Sequence, residues 1–276
     1  MMHSTFTWNS RDGIEIFGQT WKPEGLAVAA VCLVHGMGEH SSRYAHVAEF
    51  LCRNQIGVLA FDHRGHGNSK GKRGHSPSYD SLLNDVGKAI EETQVAFPGL
   101  PVFLFGHSMG GNVALNYALR RSPEVKGVIA SSPWLRLAFQ PSKMDLFLAK
   151  MMIKIFPSFS QSTKLDTKAI SRDPEEVKKY ENDPLVHDKI SAAMFFGVYQ
   201  AGQFALDNAE SFKYPLLIYH GTDDKLTHYD ASKEFGFTVT GDVTWKSFQG
   251  FYHESHNEPE KAQVLEMLKN WINAHI

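Results

Sequence analysis

Residues 101–115, PVFLFGHSMGGNVAL, leave the chain little choice of fold. Val102 to Phe105 is a continuous apolar run, the pattern of a parallel strand buried on both faces. Gly106-His107-Ser108-Met109-Gly110 follows at once and has the form G-x-S-x-G. Glycines flank the serine because a sharp strand-to-helix turn crowds its neighbours and leaves no room for side chains. Such a turn lifts the Ser108 hydroxyl clear of the sheet edge and holds it at a helix N-terminus. There, unpaired N–H groups and the helix dipole favour negative charge. A bare G-x-S-x-G also arises by chance; the strand before it and the helix after it mark Ser108 as a nucleophile.

A strand buried on both faces needs parallel neighbours, and the flanking sequence supplies them. Residues 27–35, 57–62 and 125–130 are further apolar runs, separated by helical spacing over 44–54, over 79–97 and from the serine to Arg121. Strands alternating with helices at this spacing predict a mostly parallel central sheet flanked by helices. Before them, residues 5–8 and 15–21 flank Arg11-Asp12-Gly13, a hairpin signal. The rhythm stops at Ser132-Pro133-Trp134, and no β-run is expected between 135 and 207. A helix is expected over 143–156, with Lys143, Lys150 and Lys154 on one face. Met144, Phe147, Leu148, Met151, Met152 and Ile155 cover much of the rest. Asp173-Pro174-Glu175-Glu176 starts another helix. We read 134–207 as an inserted helical cap, with 1–133 and 208–276 forming one core domain. Strands resume at 214–220 and 243–248, and an amphipathic helix over 259–275 closes the chain.

Charge narrows the partners. Twenty-eight basic residues against 30 acidic ones give −2, with no long run of one sign, so nothing in the chain suits nucleic acid. Cys32 and Cys52 lack metal or redox spacing, and Cys32 sits in an apolar run, so a buried thiol and a reducing compartment are expected. Residues 1–11 lack the apolar segment of a signal peptide, and no apolar stretch reaches the roughly 18 residues of a membrane span. A cytoplasmic protein, peripheral at most at membranes, is the expectation.

A nucleophilic serine needs a base, and the base needs an orienting carboxylate. Asp223 and Asp224 both follow the 214–220 strand, and His253 follows the last strand. These residues alone leave the choice between the two aspartates open. A metal centre fits poorly. His253-Glu254-Ser255-His256 is H-E-x-H, one residue short of the zinc pattern, and His63 and His66 flank glycines in a turn. No metal and no cofactor are expected.

Five runs carry a resemblance: HGMGEHSSRY (35–44), DHRGHGNS (62–69), GHSMGG (106–111), HGTDDKL (220–226) and YHESHNE (252–258). In this order they resemble the monoacylglycerol lipase and lysophospholipase branch of the α/β-hydrolases, grouped with serine aminopeptidase-like hydrolases. The cap is least similar, apart from Asn182-Asp183-Pro184-Leu185-Val186. The resemblance implies an α/β-hydrolase fold and a Ser108–His253–Asp224 triad. It implies an oxyanion hole from the Met37 and Met109 N–H groups, and head-group recognition by Glu39, Arg43 and His256. It implies cleavage of a small lipid ester, monoacylglycerol first, with lysophospholipids, short acyl esters or peptides with a free N-terminus as alternatives. The cap would meet the acyl chain and touch membrane surfaces transiently. A remote alternative, a non-catalytic interaction protein of the same fold, would have lost triad members; here all three are present.

Overall fold

The computed structural model describes residues 1–139, 147, 150–153 and 155–276. Its centre is an eight-stranded sheet in the order β1-β2-β4-β3-β5-β6-β9-β10. β1 (Met2–Asn9) and β2 (Glu15–Lys22) form the expected hairpin, and Gly13 takes a φ of 81° in its turn. β2 runs antiparallel to β4 (Ile56–Phe61). From β4 onward, β3 (Ala29–Val34), β5 (Val102–His107), β6 (Gly127–Ser131), β9 (Leu216–Gly221) and β10 (Val243–Phe248) pair in parallel.

The continuous apolar runs follow from this geometry, because successive side chains enter different layers. Val102 and Leu104 join a core with α2 (Tyr79–Ala96) and α3 (Met109–Arg121). Phe103 and Phe105 join the opposite core with α1 (Ala45–Arg53) and α7 (Lys261–Ala274). Cys32 is buried in β3, and desolvation pushes its thiol up to about 12; it is an inert core side chain.

Between β6 and β9 lie α4 (Pro174–Asn182), capped by the Asp173 side chain as expected, and α5 (Ala192–Asp207). The described residues of 147–155 are helical. Lys143, Met144, Leu148 and Lys154, expected on the faces of this helix, lie outside the described residues. One feature departs from the sequence reading. A short antiparallel pair, β7 (Ser160–Ser162) with β8 (Lys189–Ser191), stands where no β-run was expected. Three-residue strands carry no periodic signal, and only their pairing makes them strands. α5 is fastened to the core. Its Met194, Val198 and Ala205 share the core of α2 and α3. On α3, buried Asn112 Nδ2 donates to the Trp134 and Val198 carbonyls at 2.7 and 3.1 Å, and Asn116 Nδ2 to the Ala201 carbonyl at 3.0 Å. α6 (Tyr229–Thr238) completes that layer.

Candidate active site

The site lies beyond the carboxyl ends of β3, β5, β9 and β10, where an open parallel sheet leaves a crevice. Ser108 follows β5 and precedes α3 with φ 54° and ψ −118°, a strained conformation for a residue with a side chain. Its backbone is held on every side. Its N–H donates to Ser131 O at 2.9 Å, and its carbonyl accepts from Asn112 N at 3.0 Å and Trp134 N at 2.9 Å. The flanking glycines are required by contact. A Cβ on Gly106 would sit 2.2 Å from Gly110 O, and one on Gly110 would sit 2.1 Å from Val34 O. The Ser108 side chain caps no N–H of α3, which leaves its hydroxyl to the cavity it lines.

The two adjacent aspartates separate completely. Asp223 is exposed, and its carboxylate accepts the neighbouring Thr222 hydroxyl at 2.8 Å. The Asp224 side chain is fully buried. Its Oδ1 accepts the Leu226 and Thr227 N–H groups at 2.7 and 3.0 Å; its Oδ2 accepts His253 Nδ1 at 2.7 Å, His220 Nε2 at 2.9 Å and Thr227 Oγ1 at 2.9 Å. Burial alone would raise the Asp224 carboxyl, but His253 and His220 outweigh it and hold it well below the usual range. Burial would lower the His253 imidazole; the Asp224 carboxylate outweighs that and raises it. The His253 loop is fixed from the other side as well, since Ser132 Oγ donates to the His253 carbonyl at 2.9 Å. Thr227, His220 and Ser132 were not singled out in the sequence. The one signal for them was their adjacency to the strand-ending motifs.

Met37 follows β3 and lines the same cavity. Its loop presses against the serine: a Cβ on Gly36 would come 3.1 Å from Ser108 Cβ. Met109 is buried and opens α3, where an N–H has no acceptor within its own helix. The arrangement thus brings a serine, a charged Asp–His pair and two candidate N–H donors to one place.

The three head-group candidates are not equivalent. Glu39 reaches the cavity wall, but both its oxygens are in use. Oε1 accepts Gly36 N–H at 2.6 Å and Tyr44 OH at 2.7 Å, and Oε2 accepts Arg43 at 2.7 Å. Arg43 lies behind the wall, forked onto Glu254 at 2.7 and 2.8 Å. His256, expected at the head group, is fully buried and off the cavity wall, with both ring nitrogens unpartnered among the described residues. Its ring stacks on Tyr44 at 4.8 Å and meets His107 at 4.9 Å, and burial drives its imidazole down to about 3. It is a neutral packing ring.

The cavity measures about 750 Å³. Beyond Ser108 and His253 its wall is largely apolar, with Trp134, Leu137, Ile190, Phe195 and Leu226. Residues 161–166 form another part of it. Phe147, Met151 and Ile155 are exposed and are not among the residues lining the cavity. Among the described residues, no group of three or more His, Cys, Asp or Glu could hold a metal ion. His63 and His66 serve the scaffold instead. His63 Nε2 donates to His35 O at 3.1 Å, and His66 Nδ1 to Arg64 O at 3.1 Å.

Residues 26–260 match the model of the family described as serine aminopeptidase, S33. An uncharacterized abhydrolase domain-containing protein of Dictyostelium discoideum is 39% identical over 94% of this chain, which spans 28% of that protein. The monoacylglycerol lipase of Mycolicibacterium smegmatis is 35% identical, with 96% of this chain and 95% of that protein aligned. The crystal structure of Paleococcus ferrophilus monoacylglycerol lipase superposes with a TM-score of 0.85 at 36% identity, over the whole of both chains.

Proposed function

This chain belongs to the serine aminopeptidase S33 family of α/β-hydrolases, and on that premise we propose that it is a serine ester hydrolase cleaving monoacylglycerols. The observation that carries this reading is the 2.7 Å Asp224–His253 hydrogen bond, with His253 and Ser108 both lining one largely apolar cavity. Asp224 fixes His253 with its proton on Nδ1, so Nε2 is free to accept the Ser108 proton. Ser108 Oγ attacks the acyl carbonyl, and the Met37 and Met109 N–H groups stabilise the oxyanion. His253 then gives its proton to the leaving glycerol oxygen. Water, deprotonated by the same imidazole, releases the fatty acid from Ser108. Glu39 is the one head-group candidate on the cavity wall, and with its oxygens engaged it acts first as a brace for the Gly36–Met37 loop.

An apolar cavity of this size suits one acyl chain, and each buried methylene contributes about 0.8 kcal/mol. On monoacylglycerols of increasing length, kcat/KM should therefore climb up to about fourfold per methylene until the cavity is full. Lysophosphatidylcholine and aminoacyl amides in the same panel should turn over far more slowly. A preference for either would reassign the substrate within the family.

The substrate is a lipid, and the cap carries exposed Phe147, Ile155 and Phe156. No helix among the described residues is long and apolar enough to cross a membrane. The protein meets its substrate by resting these side chains on the bilayer from the cytoplasmic side, where free thiols such as Cys32 and Cys52 persist. Ile155→Ser with Phe156→Ser should cut co-sedimentation with phosphatidylcholine vesicles about tenfold or more, because a large apolar side chain contributes about 1.5–3 kcal/mol when buried. Unchanged sedimentation would remove the membrane contact.

A further inference from the structure

Arg43 is buried behind the cavity wall, its side chain 9% exposed, at the point where two loops of the site meet. Nη1 donates both to Glu39 Oε2 and to Glu254 Oε1 at 2.7 Å, and Nη2 donates to Glu254 Oε2 at 2.8 Å. Each carboxylate leads directly to reacting groups. Glu39 Oε1 holds the Gly36 N–H, one residue before Met37. Glu254 follows His253 in the chain, and Asn257 Nδ2 fixes its Oε2 at 2.7 Å. The face of the guanidinium lies 4.7 Å from the centre of the Tyr180 ring in α4. The segments flanking that helix are tied to the same two loops: Glu254 N donates to Ile170 O at 2.7 Å, and His187 N to Gly38 O at 2.9 Å.

We propose that Arg43 is a positioning residue for the hydrolysis, setting the distance between the oxyanion loop and the general base by holding Glu39 and Glu254 in one planar fork. The inference rests on the serine-hydrolase reading of the site. Neither loop has another direct link of this kind to the other through a charged group among the described residues. Arginine is suited to the task because its donors are coplanar and rigid, whereas a lysine ammonium is a single point that cannot grip two carboxylates in fixed geometry. Without the cation, two buried carboxylates would face each other and push the loops apart. Burial would raise the Glu254 carboxyl, but Arg43 outweighs it and holds it down to about 2, while burial, with the neighbouring Glu254 charge, raises the Glu39 carboxyl.

This role separates from head-group recognition by kinetics. Arg43→Lys, Arg43→Met and Glu254→Gln are assayed on a monoacylglycerol and on the methyl ester of the same acid, with thermal melts to establish folding. Misplacement of reacting groups by about 1 Å costs about 10²-fold, so Arg43→Met should lose about 10²-fold in kcat on both esters alike, with KM within about twofold. Arg43→Lys and Glu254→Gln, which keep part of the network, should fall between, and phosphonate labelling of Ser108 should slow in parallel. Unchanged kcat in folded Arg43→Lys and Glu254→Gln would reduce the network to simple stabilisation and overturn the proposal. A loss confined to the monoacylglycerol, with raised KM, would overturn it in favour of diol recognition. Wild-type protein that cleaves the methyl ester but not the monoacylglycerol would overturn the substrate assignment and leave this test intact.

Discussion

Ser108→Ala is expected to lower kcat by about 10⁶, the scale reached when the nucleophile of a serine protease is removed. At about 1.36 kcal/mol per decade, that is about 8 kcal/mol of transition-state stabilisation lost with one oxygen atom. The loss should fall on kcat and leave KM little changed, because the acyl chain still fills the same apolar cavity. Folding should be nearly unaffected. The strain at φ 54° is a backbone property that alanine shares with serine, and the hydroxyl caps no N–H of α3. The fluorophosphonate label carried by the wild type should be absent from the variant, and its melting temperature should stay within a few degrees. Residual rate above water, from the oxyanion donors and binding alone, is allowed for. Turnover comparable to the wild type would sink the nucleophile assignment and, with it, the mechanism.

Asp224→Asn should cost about 10⁴ in kcat, as the equivalent change does in a serine protease. The structure supplies its own reason. Oδ1 of Asp224 faces two backbone donors, the Leu226 and Thr227 N–H groups, neither of which can accept a hydrogen bond. An asparagine must therefore turn its oxygen toward them and its amide N–H toward His253 and His220. His253 Nδ1 then accepts, its proton moves to Nε2, and the imidazole can no longer take the Ser108 proton. The pH dependence gives a second readout. The general base acts when neutral, so kcat/KM falls as pH drops through the His253 pKa, which Asp224 raises. Removing that charge should move the remaining activity's acid limb to lower pH. Asp223→Asn, on an exposed side chain pointed at Thr222, should change the rate by less than about twofold, within the weak contribution of a surface charge. The opposite ranking of the two variants would shift the acid by one residue.

The strands and helices of the core were legible because their information is local. Apolar runs, the Asp-Gly turn and the Gly-x-Ser-x-Gly crowding act over a few residues, and the structure follows them from β1 to α7. The order Ser108, Asp224, His253 was also legible, since each follows a strand end. Direction was not. Asp223 and Asp224 are chemically identical neighbours, and only the turn after β9 decides that one faces His253 and the other solvent. His256 matches its motif in sequence, yet it lies buried off the cavity wall, stacked on Tyr44 and meeting the His107 ring edge-on. Glu254 was read only within a poorly fitting metal pattern, because its partner, Arg43, is 211 residues away. The sequence by itself determined which elements form and in which order the candidate site residues appear, because backbone periodicity and turn strain are short-range. Only the tertiary structure decided which polar side chains line the cavity and which pair behind its wall, because burial and pairing depend on neighbours that packing alone brings together.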